Sequence, residues 1–170
     1  EHGMRNSNTM AIAPTATISY IQGCSPCIEP DFSVLFVYEN KSGNLTIINE
    51  WFVKKCKELG IWTPMLVEAV KAVDGDLSQI SEDVIPEDVK NQFRTAFEHD
   101  QFKLIESAAA RQKWIDMGQS LNLFNNSTSL KYINDLYMFA RDKGLKSTYY
   151  LRNKSASKIE KSTSAPTEET

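Results

Sequence analysis

Met10-Ala-Ile-Ala-Pro-Thr-Ala-Thr-Ile-Ser19 changes character at its middle. Met10 to Ala13 are apolar without a break, the pattern of a short strand covered on both faces. Pro14 has no N–H to give to a ladder, and its fixed φ suits the first turn of a helix. Thr15, Thr17 and Ser19 then set three hydroxyls beside the free N–H groups of that turn. Unpaired donors and the partial positive charge of a helix start favour an anion. Pro14, Thr15, Ala16, Thr17, Ile18 and Ser19 are therefore a candidate phosphate cradle at the C-terminal end of a sheet or barrel strand. Ala16 and Ile18 would act through their main chains only. The same residues also suit an ordinary strand–turn capped by Thr and Ser, and the Gly-rich phosphate-loop signature is absent.

Working outward, the helix after Pro14 is expected to end near Gly23, where Cys24-Ser-Pro-Cys27 follows. A C-x-x-C is compatible with a redox pair or with half of a zinc site. Zinc needs about four ligands, and Cys56, His2 and His99 match no finger spacing. The plain alternative is small buried cysteines in a wall of the site. Phe32–Tyr38 is β-branched and aromatic, Lys41-Ser-Gly-Asn44 is a turn, and Leu45–Ile48 returns, so a β-hairpin is expected. Asn49 caps a helix to about Leu59, with Trp51, Phe52, Cys56 and Leu59 on one face. Thr63 and Pro64 open a second helix to about Val73. Residues 76–86 carry Asp76, Glu82 and Asp83, which read as solvated surface because the EF-hand spacing is missing. Helices are expected from Pro86 to Phe97 and from Gln101 to Gly118. The latter would turn Phe102, Ile105, Trp114 and Met117 inward. Ser120–Phe124 is a short strand. A helix capped by Ser127 or Thr128 carries Leu130, Ile133, Leu136, Tyr137 and Ala140 on one side and stops at Gly144. Leu145–Leu151 is the last strand. This order predicts an α/β fold with parallel neighbours.

The chain has 170 residues, 41% apolar and 24% charged, with a net charge of −3. The length suits one domain, and the charge gives no reason to expect DNA or RNA as a partner. No apolar run approaches the roughly 20 residues of a membrane span. Glu1-His-Gly-Met-Arg5 is polar and shows no signal-peptide core. Three cysteines, an odd number, fit a reducing compartment. Because the chain runs from Glu1 almost directly into an apolar strand, it is expected to be a piece of a longer or split polypeptide. From Arg152 onward Ser, Thr, Lys, Glu and Pro dominate, and residues 153–170 are expected to be a flexible tail after a 1–152 domain.

Four blocks, in order, resemble one family: Arg5-Asn-Ser-Asn-Thr-Met-Ala-Ile-Ala-Pro-Thr-Ala-Thr-Ile-Ser19, Pro26-Cys-Ile-Glu-Pro30, Gly144-Leu-Lys-Ser-Thr-Tyr-Tyr-Leu-Arg152 and Ile159-Glu-Lys-Ser162. They are similar to the large, catalytic subunit of class I ribonucleotide reductases. The resemblance implies the C-terminal part of a ten-stranded α/β barrel with a β-hairpin insertion and a disordered C-terminal tail. It implies that the Pro14–Ser19 turn holds substrate phosphate. It also implies that Tyr149 and Tyr150 relay a radical from a small subunit towards an active-site cysteine lying upstream. Implied partners are the N-terminal part of the large subunit, the small subunit and a ribonucleoside diphosphate, with no nucleic acid and no membrane. No cofactor or metal is expected on this chain. The full enzyme would need a small subunit with a dimetal centre and a thioredoxin- or glutaredoxin-type reductant, in the cytoplasm. The family's tail often ends in a cysteine pair, and no cysteine follows Cys56 here. Read without the resemblance, Tyr149-Tyr150 is a strand with one aromatic on each face. Two alternatives are a stand-alone phosphate- or nucleotide-binding α/β module and an interaction fragment that completes a partner chain.

Overall fold

A computed structural model of the chain describes residues 3–40 and 43–154. Its elements are α1 (Ile18–Gln22), the hairpin β1 (Leu35–Asn40) and β2 (Gly43–Ile48), α2 (Glu50–Glu58), α3 (Pro64–Ala72) and a 3₁₀ turn at Leu77–Gln79. They continue with α4 (Glu87–Gln92), α5 (Gln101–Gln112), β3 (Leu123–Asn125), α6 (Leu130–Asp142) and β4 (Leu151–Asn153). The fold is α/β with short sheets. β1 and β2 pair antiparallel from Leu35↔Ile48 to Asn40↔Gly43. β3 and β4 pair parallel, with α6 as the crossover between them.

Local chemistry starts the helices where the sequence predicts. Asn49 Oδ1 accepts the N–H groups of Trp51 and Phe52, both at 3.0 Å. Thr63 Oγ1 accepts Leu66 N–H at 3.2 Å, with Pro64 at the first helical position. The cap of α6 is Ser129 rather than Ser127 or Thr128; its Oγ accepts Tyr132 N–H at 3.3 Å. One core joins the hairpin base to α2, α3 and α4 through Phe52, Cys56, Leu66, Val70, Ile85 and Val89. Cys56 is a core residue, and burial pushes its thiol up to about 11. A second core sits between α5, β3 and α6 and contains Ile105, Ala108, Leu121, Leu123, Leu136 and Ala140.

Several expectations are corrected. Met10–Ala13 is not a strand covered on both faces. It makes a single parallel bridge, Ile12↔Gln119, and Met10, Ala11 and Ala13 are exposed. Its backbone meets residues 117–120 on one side, and the Asp116 carboxylate holds the N–H groups of Thr9 and Met10 at 2.8 and 2.9 Å. α5 ends at Gln112 rather than Gly118, so Trp114 and Met117 are exposed instead of facing the core. Gln112 Nε2 donates to Met117 O at 2.9 Å and turns the chain out of the helix. α4 stops at Gln92, and Phe97 packs edge-on against Phe124 instead of continuing that helix. Trp51, Leu59 and Leu130 are exposed, although their spacing placed them inward. The strand expected from Ser120 is delayed to Leu123 by a tight turn, in which Leu121 N–H donates to Gln119 O at 3.0 Å.

The acidic stretch is not uniformly solvated either. Glu82 and Asp83 are exposed, but Asp76 is half-buried. Its carboxylate accepts from Ser78 Oγ at 2.5 Å, Gln79 Nε2 at 2.9 Å and Lys154 Nζ at 2.8 Å. Lys154 directly follows β4, so this contact anchors the end of the last strand on the hairpin lobe. Asn153 closes β4, and residues 155–170, where the flexible tail is expected, lie outside the described residues.

Two predictions follow from these contacts. Burial works against ionisation of Asp76, but hydrogen bonds from Lys154, Ser78 and Gln79 and the charge of Lys154 outweigh it. The carboxyl falls to about 2 from an ordinary 3.8. A depressed folded-state value adds stability above the unfolded pKa, and that stability is lost as pH falls towards the folded one. Thermal melts between pH ~5 and ~2 should therefore show Asp76→Asn less stable than the parent at the upper end, with the gap closing in acid. Gly75 is the second case: its φ is +76°, and an added Cβ would lie 2.0 Å from Ser33 Oγ and 2.9 Å from the Leu35 backbone. Gly75→Ala should lower stability by about 1–3 kcal/mol in denaturant titration.

Candidate functional site

The Pro14–Ser19 turn is built differently from a proline-led helix. Thr15 takes a left-handed backbone, φ +48°, and Pro14 precedes α1 by four residues instead of opening it. The reason is a cross-loop contact: Thr15 Oγ1 accepts the N–H of Cys27 at 3.2 Å. Cys27 is itself left-handed at φ +64°. The two strained residues hold each other, and the chain cannot enter a helix until it has passed them. Ser19 N–H returns to Thr15 O at 3.3 Å. No acceptor among the described residues meets the N–H groups of Ala16, Thr17 and Ile18. Ser19 is buried, and its Oγ has no partner among the described residues. Thr17 makes no side-chain cap.

Tyr149 and Tyr150 lie just before β4, so the expected Leu145–Leu151 strand is limited to its final residue, continuing to Asn153. Outside regular pleating the two side chains need not point to opposite faces. Their ring centroids are 4.1 Å apart with planes at 46°. The backbone is nevertheless held as if in a sheet: Tyr149 N–H donates to Leu121 O at 2.7 Å, and Leu123 N–H donates to Tyr150 O at 2.9 Å. The Tyr150 phenol beside it, and then burial, raise the Tyr149 phenol above its ordinary value, while Arg152 opposes the rise. The Arg152 guanidinium stands 5.8 Å from the Tyr150 ring centroid.

Beside the turn lies a cleft of about 550 Å³, whose lining includes Ala16, Cys24, Cys27, Glu29, Asn122 and Arg152. Its opposite wall is the hairpin, with Phe36 and Ile47, and the start of α2, with Trp51. The turn borders the cleft through Ala16. Neither tyrosine lines the cleft; both are exposed, and Arg152, which does line it, stands over the Tyr150 ring. Cys24 is exposed rather than buried, and Cys27 is half-buried; both are free thiols. Burial, then the Glu29 carboxylate, pushes the Cys27 thiol up, with Arg152 and Asn122 opposing. That is not a thiolate-favouring setting. Among the described residues no group of three or more His, Cys, Asp or Glu could hold a metal.

Two site residues were not singled out by sequence reasoning. Glu29 is buried, and its carboxylate accepts Asn122 N–H at 2.5 Å and Asn122 Nδ2 at 3.1 Å. Asn122 Nδ2 also reaches Cys27 Sγ at 3.6 Å. The available signal was a polar residue in the middle of an otherwise apolar strand pattern, Leu-Asn-Leu-Phe124, and an acid inside Pro26-Cys-Ile-Glu-Pro30. Neither position alone names its partner.

The ribonucleotide reductase barrel domain matches residues 1–151, and the chain belongs to that family. The ribonucleoside-diphosphate reductase subunit alpha of Chlamydia trachomatis is 50% identical over 162 residues, covering 95% of this chain and 15% of that protein. The ribonucleoside-diphosphate reductase large chain of Schizosaccharomyces pombe is 36% identical over 167 residues, covering 98% of this chain and 20% of that protein. The solved class Id ribonucleotide reductase alpha subunit of Actinobacillus ureae superposes with a TM-score of 0.76 at 35% identity, over 91% of this chain and 28% of that one. The chain thus spans only 15% and 20% of the length of these two curated relatives.

The phenol contact has a direct spectroscopic consequence. Tyr150→Phe removes the hydroxyl that is the largest cause of the raised Tyr149 phenol. Ultraviolet titration should show Tyr149 ionising at lower pH in that variant, closer to the ordinary value of about 10.

Proposed function

We propose that this chain is the C-terminal part of the catalytic barrel of a ribonucleoside-diphosphate reductase large subunit, with Asn153 and Lys154 still held in the barrel by β4 and Asp76 and the tail beginning after them. The whole enzyme reduces the 2′-OH of a ribonucleoside diphosphate by thiyl-radical chemistry. The observation that carries this reading is the pair of adjacent phenols, ring centroids 4.1 Å apart, in the same chain as a turn whose N–H groups at Ala16, Thr17 and Ile18 meet no acceptor among the described residues. Pro14, Thr15, Ala16, Thr17, Ile18 and Ser19 take the substrate phosphate. The free N–H groups of Ala16, Thr17 and Ile18 and the unpartnered Ser19 hydroxyl supply donors suited to a dianion. Tyr149 and Tyr150 pass the oxidising equivalent inward. Each phenol gives up an electron and a proton and recovers both, with Tyr149 nearer the substrate and Tyr150 nearer the partner.

The radical is generated on a small subunit with a dimetal centre, and a thioredoxin- or glutaredoxin-type reductant restores the enzyme. The thiyl cysteine and its helpers belong to the N-terminal part of the subunit, so this chain is inactive alone. The exposed apolar edge at Met10–Ala13 is consistent with a further strand beside it in a ten-stranded barrel. No helix of the described residues is long and apolar enough to cross a membrane, and we place the enzyme in the cytoplasm. A stand-alone phosphate module is not favoured, because it leaves the phenol pair without a task.

The test is turnover in a complete large subunit carrying this sequence, with its small subunit. Tyr149→Phe and Tyr150→Phe each keep the ring and remove the O–H. Both should abolish nucleotide reduction while substrate binding persists; normal turnover in either would end the relay assignment.

A further inference from the structure

Glu29 uses both carboxylate oxygens on one residue, Asn122, which is 93 positions away in the chain. Asn122 is 2% exposed and Glu29 7% exposed, so water does not replace these bonds cheaply. The neighbours of Asn122 on either side hold the tyrosines by their backbones: Leu121 O takes Tyr149 N–H, and Leu123 N–H reaches Tyr150 O. On the other side, Glu29 is two residues beyond Cys27, whose N–H is fixed on Thr15 Oγ1 in the anion turn. One buried carboxylate therefore ties the loop that carries the turn to the strand that carries the phenol pair.

We propose that Glu29 is a positioning residue for radical transfer: through Asn122 it fixes where the Tyr149–Tyr150 pair stands relative to the Pro14–Ser19 turn. This rests on the relay reading given above. The chemistry asks for a carboxylate at this point. Asn122 presents two donors, its N–H and its Nδ2, and a carboxylate presents two acceptors and no donor. A glutamine meets the N–H with its oxygen, and its NH₂ can pair only if the Asn122 amide turns over to present its unpartnered Oδ1, which takes Nδ2 away from Cys27 Sγ. Breaking the clamp leaves a buried charge and buried donors unpaired, so intermediate positions are disfavoured and the link is stiff. Transfer between two phenols and onward to a substrate-bound site depends on contact distances, so slack here acts on the rate rather than on binding.

The experiment uses the complete large subunit with its small subunit. Glu29→Gln is compared with the exchanged pair Glu29→Gln plus Asn122→Asp, in which a donor on residue 29 faces an acceptor on residue 122. Glu29→Gln should lower kcat by about 10- to 100-fold with KM for the nucleoside diphosphate unchanged. The radical accumulating on a 3-aminotyrosine placed at position 150, read by electron paramagnetic resonance, should fall in parallel. The exchanged pair should recover both. Unchanged kcat in Glu29→Gln, or a folded exchanged pair no better than the single variant, overturns the proposal. If Glu29→Gln does not fold, the exchanged pair decides alone: activity supports the clamp, and a folded but inactive protein overturns it. Tyr149→Phe and Tyr150→Phe run alongside keep the two questions apart. Full activity there removes the relay reading itself. Loss of activity there with a normal Glu29→Gln removes only the role of Glu29.

Discussion

Strand β3 has a backbone neighbour along one edge and side chains along the other, and most of the site depends on how that second edge is satisfied. Leu121 and Leu123 exchange main-chain bonds with Tyr149 and Tyr150, and Asn125 O takes Lys154 N–H at 3.1 Å. The intervening N–H groups, at Asn122 and Phe124, point away from β4. A buried N–H left unpaired would cost as much as a lost hydrogen bond. The Glu29 carboxylate meets the first, and Gln101 Oε1 meets the second at 2.8 Å. Ordinary sheet pairing would have used a third strand there. Here a loop acid and the first residue of α5 stand in for it.

This substitution explains why the site forms where the two cores meet. The first core packs the hairpin base on α2, α3 and α4, and the second packs α5 and α6 on β3. Glu29 and its loop run between them, so the cleft has one wall from each: Ile47 and Trp51 from the hairpin side, Asn122 and Phe124 from the strand side. Buried amides continue the same theme. Gln119 Nε2 donates to Ala108 O at 2.8 Å and binds the 117–125 segment to α5, next to the point where Ile12 pairs with it. Family membership places this architecture within a reductase barrel domain, and the phenol pair and donor-lined turn are the parts to which we assign chemistry.

Much of the fold was legible because it is decided locally. Asn49 and Thr63 act as caps, since a side-chain oxygen one turn ahead of free N–H groups needs no distant partner. The hairpin follows from alternation and a turn, and the burial of Phe52, Cys56, Leu66, Val70, Leu136 and Ala140 follows from helical spacing, whereas Trp51, Leu59 and Leu130 share that spacing and stay exposed. Illegible features depend on something far away. Helical rhythm carries through Gln112 to Met117, yet α5 stops because the chain must bend into pairing with Met10–Ile12. Thr15 has no local reason to be left-handed; its reason is the N–H of Cys27, twelve residues on. Asp76 reads as one surface acid among several until Lys154 arrives from the end of β4.

The sequence by itself determined the residue types of the site: a proline–threonine turn with hydroxyls, a C-x-x-C, two adjacent phenols. It also determined most of the helices and the hairpin around them, because spacing and capping act over a few residues. Tertiary structure alone decided that the two phenol rings meet, tilted at 46°, that Thr15 and Cys27 hold the turn left-handed, and that Glu29 and Asn122 join the two segments. Those outcomes hang on hydrogen bonds between segments up to 93 residues apart. A buried polar group is paired by whatever the fold brings to it, and no local pattern records which partner that will be.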